Sequence, residues 1–304
     1  MSAPPSKAVL RRRRKILVRH VPWVLAIPGI VLMLVLRFLP AVGSAGYAFT
    51  DWNGLTLSAN SVGLDNFGRI FSRGGGLGAL ANTLILAGVL LVVANVGGLA
   101  LALGLRGPLK TRNLLRAMFF IPFALSHLAT GYIWQFIFSY KGPFNQILDG
   151  LGLDSLQKAW TADPQWALYT IALVICWQYT GLTMIIYLAG LEGIPEELDD
   201  AVAVDGASRW MKFRRVTLPL LAPALTVACT LTLIWGLGAF DQVIALTGGG
   251  PSGATETLAT MVWKNTFVFG EYGYGAALAL VLALIVACMA LAQMFLLRRR
   301  EDKL

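Results

Sequence analysis

Residues 194–219 read IPEELDDAVAVDGASRWMKFRRVTLP and form a charged segment between two long apolar ones. Pro195 suits the first turn of a helix, and the acids that follow it lie at the positive end of that helix dipole. Gly206 interrupts the helical pattern, and Ser208 is placed to cap a second short helix that carries four basic residues. The pattern predicts two short helices joined at a glycine, a rigid projection that suits a socket on another protein.

The composition of the chain is that of a membrane protein. Hydrophobic residues make up 57% of the 304 residues, charged residues only 13%, and the mean hydropathy is +0.67. A chain with so few charges cannot cover a water-exposed surface. The formal net charge of +9 arises mainly from basic residues beside apolar spans, where membrane topology and anionic lipid explain it better than nucleic acid does. We therefore expect membrane lipid, and no nucleic acid, among the partners.

Six apolar segments are long enough to cross a bilayer as helices, which takes about 20 residues. They are predicted at 21–42, 80–105, 114–138, 166–190, 218–240 and 276–297. The first has a long apolar core and only a weak cleavage site, so an uncleaved span is favoured over the alternative of a signal peptide. We expect an all-α integral membrane protein with a basic leader (1–20), a six-span domain (21–297) and a short tail (298–304).

Lysine and arginine are distributed unevenly between the two sides of the predicted spans. The leader has seven, and the loop after the second span, the loop after the fourth and the tail have four each. These are 19 of the 25 basic residues, and loops rich in positive charge face the cytoplasm. We therefore expect both termini and segment 194–219 on the cytoplasmic side.

Small residues recur at four-residue spacing in the second span, Ala94 with Gly98 and Ala100 with Gly104. Such pairs allow two helix backbones to approach each other closely in a membrane. The alternative is that the pairs only reflect a high content of glycine and alanine.

Segment 194–219 resembles the EAA loop of the membrane subunits of ABC importers, whose pattern is Glu-Ala-Ala, two residues, Asp-Gly-Ala, then Phe and Leu-Pro. The matching residues are Asp200, Ala201, Asp205, Gly206, Ala207, Phe213, Leu218 and Pro219. Asp200 replaces the usual glutamate and keeps its charge, whereas Val202 replaces the second alanine and adds bulk. The resemblance implies that loop 191–217 couples the membrane domain to an ATP-binding subunit. The residues expected to make this contact are Glu197, Asp200, Ala201, Val202, Asp205, Gly206 and Phe213.

Further motifs resemble the carbohydrate branch of these importers. They are Phe49-Thr50-Asp51-Trp52, Asn82-Thr83, Phe119-Ile121-Pro122, FDQVIALTGGGP at 240–251 and Tyr272-Gly273-Tyr274-Gly275-Ala276. The outer loop at 240–251 resembles that of the first of two paired permeases in maltose and glycerol-phosphate importers. The resemblance implies the type I ABC importer permease fold, a second related permease, two ATP-binding subunits and an extracytoplasmic solute-binding protein. It also implies import of a sugar or sugar-like solute across a bacterial cell membrane.

The chain has no sequence motif of an enzyme. It lacks the Gly-x-x-x-x-Gly-Lys-Ser/Thr phosphate loop, the His-Glu-x-x-His zinc motif and the Gly-x-Ser-x-Gly nucleophile elbow. With only two histidines, a histidine metal cluster is not available. We therefore expect no catalytic residue, no metal and no cofactor on this chain, with ATP and Mg²⁺ bound by partner subunits.

Polar side chains inside the predicted spans are candidates for contact with solute, because they are costly to place in lipid. The candidate path residues, including small and apolar ones on the same helical faces, are His127, Gln178, Tyr179, Leu182, Thr232, Gly236 and Ala239. The family motifs around Trp177 and Trp235 imply that these faces line the translocation cavity. Aromatic and amide groups suit sugars, which present apolar ring faces and many hydroxyls. Hydrogen bonding between helices is the alternative role at each position, and Asp241 at the outer boundary is a further candidate.

Two other classes of protein are weighed against an ATP-driven sugar permease. A secondary transporter driven by an ion gradient needs charged relay residues or broken helices in mid-membrane, and His127 is the only mid-span ionisable candidate. A membrane scaffold or receptor explains the spans, but not segment 194–219 together with the outer loop.

Overall fold

The computed structural model describes residues 25–56, 58–72, 75–195, 198 and 208–301. Its helices are α1 (Leu25–Tyr47), α2 (Asp65–Ser72), α3 (Gly76–Leu105), α4 (Arg112–Ala124), α5 (His127–Ile137), α6 (Pro143–Gly150), α7 (Ala167–Glu192), α8 (Arg209–Leu220), α9 (Ala222–Leu237), α10 (Asp241–Thr247), α11 (Leu258–Trp263) and α12 (Tyr272–Glu301). In these ranges β pairing is limited to one isolated bridge. The predicted all-α fold class is confirmed.

Four of the described helices, α1, α3, α7 and α12, are long and apolar enough to cross a membrane. The predicted spans at 80–105, 166–190 and 276–297 correspond to α3, α7 and α12, whose ends differ from the prediction by at most four residues. α1 continues to Tyr47, five residues beyond the predicted end at 42, and residues 21–24 lie outside the described part of the chain. The chain is therefore a multi-pass membrane protein.

The third predicted span, 114–138, is wrong as one continuous helix, because α4 and α5 are bent by 96°. Pro122 lies in the last turn of α4, and Leu125 is extended, with φ −74° and ψ 148°. Ser126 then caps α5 by accepting a hydrogen bond from a backbone N–H. A proline without an N–H, followed four residues later by a new N-cap, explains the break. His127, expected near the middle of a span, is the first residue of α5.

The fifth predicted span, 218–240, is wrong in its bounds, because α8 and α9 are bent by 71° at Leu221. Pro223 occupies the first turn of α9, where its missing N–H is tolerated, and so favours a new helix start. α9 ends before Gly238, so Ala239 lies beyond the helix. The described helices allow four spans, or up to six if each bent pair is one span. The predicted count of six stays a prediction.

α7 is the central helix of the bundle. In its most apolar 18-residue window 67% of the residues are buried, against 33% in α3, 22% in α12 and none in α1. α7 packs along α3 and also contacts α4, α9 and α10, whereas α1 contacts α12 through residues 39–47. α1 therefore presents an apolar surface to lipid or to another subunit.

The first predicted pair of small residues, Ala94 and Gly98, lies at the contact between α3 and α7. Thr183 of α7 donates a 2.6 Å hydrogen bond to the carbonyl of Ala94. A Cβ atom at Gly98 would lie 2.7 Å from the backbone nitrogen of Met184, so a larger residue would separate the helices. At Gly104, in the second pair, a Cβ atom would meet no described atom within 4 Å. The four-residue spacing of small residues therefore coincides with a helix contact at Ala94 and Gly98, but not at Gly104.

Several basic segments meet at one end of the bundle. Arg116 of α4 donates a 3.2 Å hydrogen bond to the carbonyl of Leu105, and it forms a 3.3 Å ion pair with Glu192. These contacts join the ends of α3 and α7 to the start of α4, and α8 borders a cavity with the end of α3. The arrangement agrees with the predicted sidedness, which stays a prediction.

The loop after α1 is held by side-chain hydrogen bonds. The Asp51 carboxylate accepts hydrogen bonds from the backbone N–H of Asn60 at 2.8 Å and from its side-chain amide at 3.1 Å. These bonds, led by the side-chain one, lower the pKa of Asp51. The amide of Asn66 donates to the carbonyls of Ala48 and Thr50, both at 2.9 Å. The motif at residues 49–52 therefore closes the loop onto α2.

Candidate functional site

The bend between α4 and α5 frees a backbone carbonyl that α7 satisfies. Gln178 donates to the carbonyl of Leu125 at 3.2 Å, and its amide oxygen accepts a 3.0 Å hydrogen bond from Gln242 of α10. Its amide nitrogen also lies 3.4 Å from the hydroxyl of Thr130. Both glutamines are buried. A broken helix is stable in a membrane only where other groups satisfy its backbone, so this buried amide chain holds the bend.

Four rings meet beside this bend, and we call them the aromatic face: Phe123, His127, Tyr179 and Trp235. Tyr179 of α7 lies at the centre. It stacks on His127 with a centroid distance of 5.5 Å and an interplanar angle of 19°. Its centroid lies 5.7 Å from that of Phe123 and 5.1 Å from that of Trp235. Tyr179 is buried, while the three rings around it are partly exposed. The face is thus accessible at its edges and packed at its centre.

A carboxylate lies beside the histidine of the aromatic face. His127 Nδ1 lies 3.9 Å from Asp241 Oδ2, and the two side chains are 33% and 47% exposed. This separation is too long for a direct hydrogen bond. His127 Nε2 has no hydrogen-bond partner among the described residues. Nε2 is itself buried, so the half-exposed carboxylate of Asp241 is the group that keeps hydrogen-bonding capacity for a third molecule.

A second polar cluster joins α3, α7 and α9, and we call it the polar clamp: Asn95, Tyr187 and Thr232. Asn95 donates to the hydroxyl of Thr232 at 2.8 Å, and the hydroxyl of Tyr187 donates to the Asn95 amide oxygen at 2.7 Å. Thr232 in turn donates to the carbonyl of Ala228 at 2.8 Å. All three side chains are buried. Each polar group has a partner within the bundle, so the clamp fixes three helices against one another.

The structure divides the seven predicted path residues into two groups. His127 and Tyr179 belong to the aromatic face and Gln178 supports it, whereas Leu182, Thr232, Gly236 and Ala239 lie elsewhere. A Cβ atom at Gly236 would lie 2.5 Å from the Cα atom of Ala87, so Gly236 serves the contact between α9 and α3. The Ala239 carbonyl accepts a 3.1 Å hydrogen bond from Thr257. Contact of any of these residues with solute stays a prediction.

The predicted coupling residues lie largely outside the described residues. These are Glu197, Asp200, Ala201, Val202, Asp205 and Gly206. Phe213 lies in α8, with its ring centroid 5.7 Å from that of Trp210. Ser208 caps α8 as predicted, because its hydroxyl accepts a 3.3 Å hydrogen bond from the backbone N–H of Met211. The coupling role stays a prediction.

Sequence analysis missed three residues that the structure makes central. Phe123 completes the aromatic face, Gln242 completes the amide chain and Asn95 is the middle member of the polar clamp. Asn95 is a polar residue within a long apolar helix, a signal that could have identified it. Phe123 carries no such signal because an aromatic residue is ordinary in an apolar segment, and the partner of Gln242, Gln178, is distant in sequence.

A bundle of apolar helices with broken spans and an internal aromatic face has the architecture of a membrane transport subunit. The chain belongs to the family of binding-protein-dependent transport system inner membrane components, whose model matches residues 94–302. The matched range includes the aromatic face and the polar clamp. The resemblance to ABC importer permeases is therefore confirmed.

One relative and two solved structures illustrate the similarity. The multiple sugar-binding transport system permease protein MsmF of Streptococcus mutans is 34% identical over 288 residues, which cover 95% of this chain and 99% of MsmF. A bacterial ABC transporter that imports the acidic polysaccharide alginate has a chain with a TM-score of 0.81 and 23% identity, covering 95% of this chain and 99% of that one.

The second structure is the bacterial alginate ABC transporter in complex with an alginate pentasaccharide-bound periplasmic protein. Its matching chain has a TM-score of 0.80 and 23% identity, with coverage of 94% of this chain and 97% of that one. These similarities show the fold, and the predicted type I ABC importer permease fold is confirmed.

Proposed function

We propose that the chain is the membrane-spanning permease subunit of an ATP-driven, binding-protein-dependent sugar importer, in which it forms half of the translocation path. The observation that carries this proposal is the aromatic face, which includes the ring of His127 and is bordered by the half-exposed carboxylate of Asp241. Aromatic rings pack against the apolar faces of sugars, and nearby polar groups bond their hydroxyls. The name of MsmF, a sugar transport permease, supports the same solute class.

In the proposed mechanism the solute contacts Trp235 and His127 at the accessible edge of the aromatic face. The Asp241 carboxylate accepts hydrogen bonds from its hydroxyls, and Tyr179 supports the rings of Trp235 and His127 from behind. The buried Gln178 keeps the bend between α4 and α5 in place, so these rings hold their positions. The remaining predicted path residues support the helices that line the path; these are Leu182, Thr232, Gly236 and Ala239.

The energy for transport comes from a partner subunit that binds ATP, because this chain has no phosphate loop of its own. Loop 191–217 is where that subunit acts on the chain. α7 carries Tyr179 in the aromatic face and ends at Glu192, where the loop begins. Thirteen residues of helix span about 20 Å, so a displacement of the loop reaches the face through a rigid element. The acids and small residues of the loop, with Phe213, dock in an ATP-binding subunit. Closure of two such subunits rocks the paired permeases between inward-facing and outward-facing states.

The proposed complex contains a second related permease, two ATP-binding subunits that bind ATP and Mg²⁺, and an extracytoplasmic solute-binding protein. The complex of the structural relative with a periplasmic protein supports the last of these. The complex lies in a bacterial cell membrane, with both termini of this chain and loop 191–217 in the cytoplasm. This chain has no catalytic role. The family match does not favour the alternative of an ion-gradient-driven transporter.

The test is reconstitution of the chain with its second permease and ATP-binding subunits in liposomes, with the solute-binding protein outside. A panel of radiolabelled sugars is offered with and without ATP on the side of the ATP-binding subunits. The proposal predicts uptake of a sugar that requires ATP and the binding protein. Uptake that follows a proton or sodium gradient and ignores ATP would contradict it.

A further inference from the structure

Asp241, at the border of the aromatic face, differs from two other acids of the described chain in how its carboxylate is used. The carboxylate of Asp51 accepts two hydrogen bonds from Asn60, and that of Glu256 forms a 2.8 Å ion pair with Lys264. Within the described ranges the Asp241 carboxylate accepts no hydrogen bond, although its side chain is only 47% exposed. A carboxylate that is partly withdrawn from water and lacks a bonded partner is costly for the fold, so its presence points to a use in ligand binding.

The carboxylate of Asp241 lies close to the rings that form the aromatic face. It is 3.9 Å from His127 Nδ1, and the imidazole stacks on Tyr179 with a centroid distance of 5.5 Å. Tyr179 in turn lies 5.1 Å from Trp235, centroid to centroid. A solute in contact with the imidazole is therefore nearer to this carboxylate than the Debye length of about 8 Å at physiological salt, so salt does not screen the charge from it.

The described lysine and arginine side chains are not placed to neutralise this charge. Those of the loops around α2, α6 and α11 are held by other groups: Arg69 by Glu271, Lys264 by Glu256 and Lys158 by the ring of Trp166. Lys141 follows the far end of α5, which begins at His127 and is 11 residues or about 16 Å long. The remaining ones lie in α1, at the end of α12 or among the basic segments at the end of the bundle where α7 reaches Glu192.

His127 does not neutralise the carboxylate through a bond either. The separation of 3.9 Å is too long for a hydrogen bond from Nδ1. A ring with a proton on both nitrogens would also place a donor at the buried Nε2, which has no acceptor among the described residues, and an unpaired buried donor is costly. The border of the aromatic face therefore carries a negative charge.

We propose that Asp241 selects the solute by its charge, so that the path admits uncharged and amine-bearing sugars and excludes those with a carboxylate, phosphate or sulfate. This inference rests on the proposed function, because it requires the solute to pass the aromatic face. A hydroxyl or an ammonium group donates a hydrogen bond to the carboxylate, and aromatic rings attract an ammonium group as well. An anionic group offers only acceptors and brings like charge to the carboxylate, a repulsive element that gives specificity.

The test measures the charge of the site with two methanethiosulfonate reagents of similar size, one cationic and one anionic. In a chain whose three cysteines are replaced by alanine, Trp235→Cys places a thiol in the aromatic face. The assembled transporter is treated with each reagent, and mass spectrometry of this chain gives the two rates. We expect the ratio of cationic to anionic rates to exceed that of free cysteine at least about fivefold, the factor that corresponds to about 1 kcal/mol between unit charges 4 Å apart in water.

Three variants assign this ratio to Asp241. Asp241→Asn removes the charge at nearly constant shape and should lower the ratio to that of free cysteine, whereas Asp241→Glu should retain it. The matched control is Asp149→Asn, at an exposed acid of α6 outside the aromatic face, which should leave the ratio unchanged. An equal loss in Asp241→Asn and Asp149→Asn would overturn the proposal. If Asp241→Asn does not fold, a ratio at residue 235 no higher than that of free cysteine overturns it.

Uptake in liposomes separates this inference from the proposed function. The panel of radiolabelled sugars includes uncharged, amine-bearing and acidic members, and we expect uptake that requires ATP and the binding protein for a member without an acidic group. Such uptake of an acidic sugar would overturn the charge selection and leave the proposed function intact. A ratio that depends on Asp241, without ATP-dependent uptake of any sugar, would contradict the proposed function and leave the charge of the site established.

Discussion

The polar clamp and the aromatic face each include a tyrosine of α7, Tyr187 and Tyr179, but they differ in whether the neighbouring polar groups are hydrogen-bonded within the bundle. In the clamp, Asn95, Tyr187 and Thr232 are buried and bonded to one another. Beside the aromatic face, the Asp241 side chain is 47% exposed, and its carboxylate lies 3.9 Å from His127 Nδ1, too far for a direct hydrogen bond. Polar groups that are satisfied within the bundle hold helices together, while those that are not can bond a passing molecule.

The largest expected effect concerns the helix contact beside the clamp. Gly236→Leu forces a side chain against Ala87 of α3, and overpacking of this kind costs roughly 1–3 kcal/mol or more. We expect a strong fall in the yield of folded protein and in its melting temperature. The matched control is Gly104→Leu, where a Cβ atom meets no described atom within 4 Å. Equal melting temperatures for the two variants would contradict the packing described for α3 and α9.

The next effect comes from the clamp itself. Asn95→Leu leaves the buried hydroxyls of Tyr187 and Thr232 with fewer partners, a loss of roughly 1–3 kcal/mol in stability. Thermal unfolding in detergent should show the loss, and transport per folded complex should change little. Tyr187→Phe, combined with Asn95→Leu in a double-mutant cycle, should show strong coupling. Additive effects would mean that the hydrogen bond between them contributes nothing to stability.

For substitutions in the aromatic face we expect transport, rather than stability, to show the main effect. Trp235→Ala removes a partly exposed ring, so we expect uptake to fall about tenfold, the factor of about 1.4 kcal/mol that a lost aromatic contact can reach. Trp235→Phe keeps a ring and should retain most uptake, with a melting temperature close to that of the unmodified protein. If Trp235→Ala lowers stability and leaves uptake per folded complex unchanged, the ring is a packing residue.

The smallest expected effect lies outside both clusters, at Asp51. Hydrogen bonds from Asn60 lower its pKa, so its contribution to stability is present above the pKa of the unfolded chain and is lost as the pH falls through the folded value. Asp51→Asn should therefore lower the melting temperature slightly at neutral pH. In strong acid the difference between the two proteins should disappear. A difference that grows towards acid pH would reverse the sign and refute this account of the loop.

The sequence predicted the long helices well because their signal is local. α3, α7 and α12 are continuous apolar segments without an internal proline, and their bounds followed from hydropathy. The bend after Pro122 and the bend at Leu221 were missed, because the apolar composition continues across both. A hydropathy window detects a segment that is long enough to cross the lipid. A bend depends also on side chains elsewhere in the fold that hydrogen-bond the freed backbone groups.

The candidate site was predicted only in part for a related physical reason. His127 and Tyr179 were found because polar residues are rare within spans. The same rule selected Thr232, which donates a hydrogen bond within the bundle and belongs to the clamp. Sequence reveals that a polar residue lies in a membrane, but not whether its partner is another helix or a ligand. That distinction needed Asn95 and Gln242, whose partners lie far along the chain.

The most direct test of the two-cluster account is solute protection of a single thiol. In a chain whose own Cys176, Cys229 and Cys288 are replaced by alanine, Trp235→Cys and Thr232→Cys are compared in the assembled transporter with a water-soluble thiol reagent. The account predicts that the thiol at 235 is labelled and that the transported sugar protects it, while the thiol at 232 is not labelled. Labelling of both positions without protection by any transported sugar would contradict it.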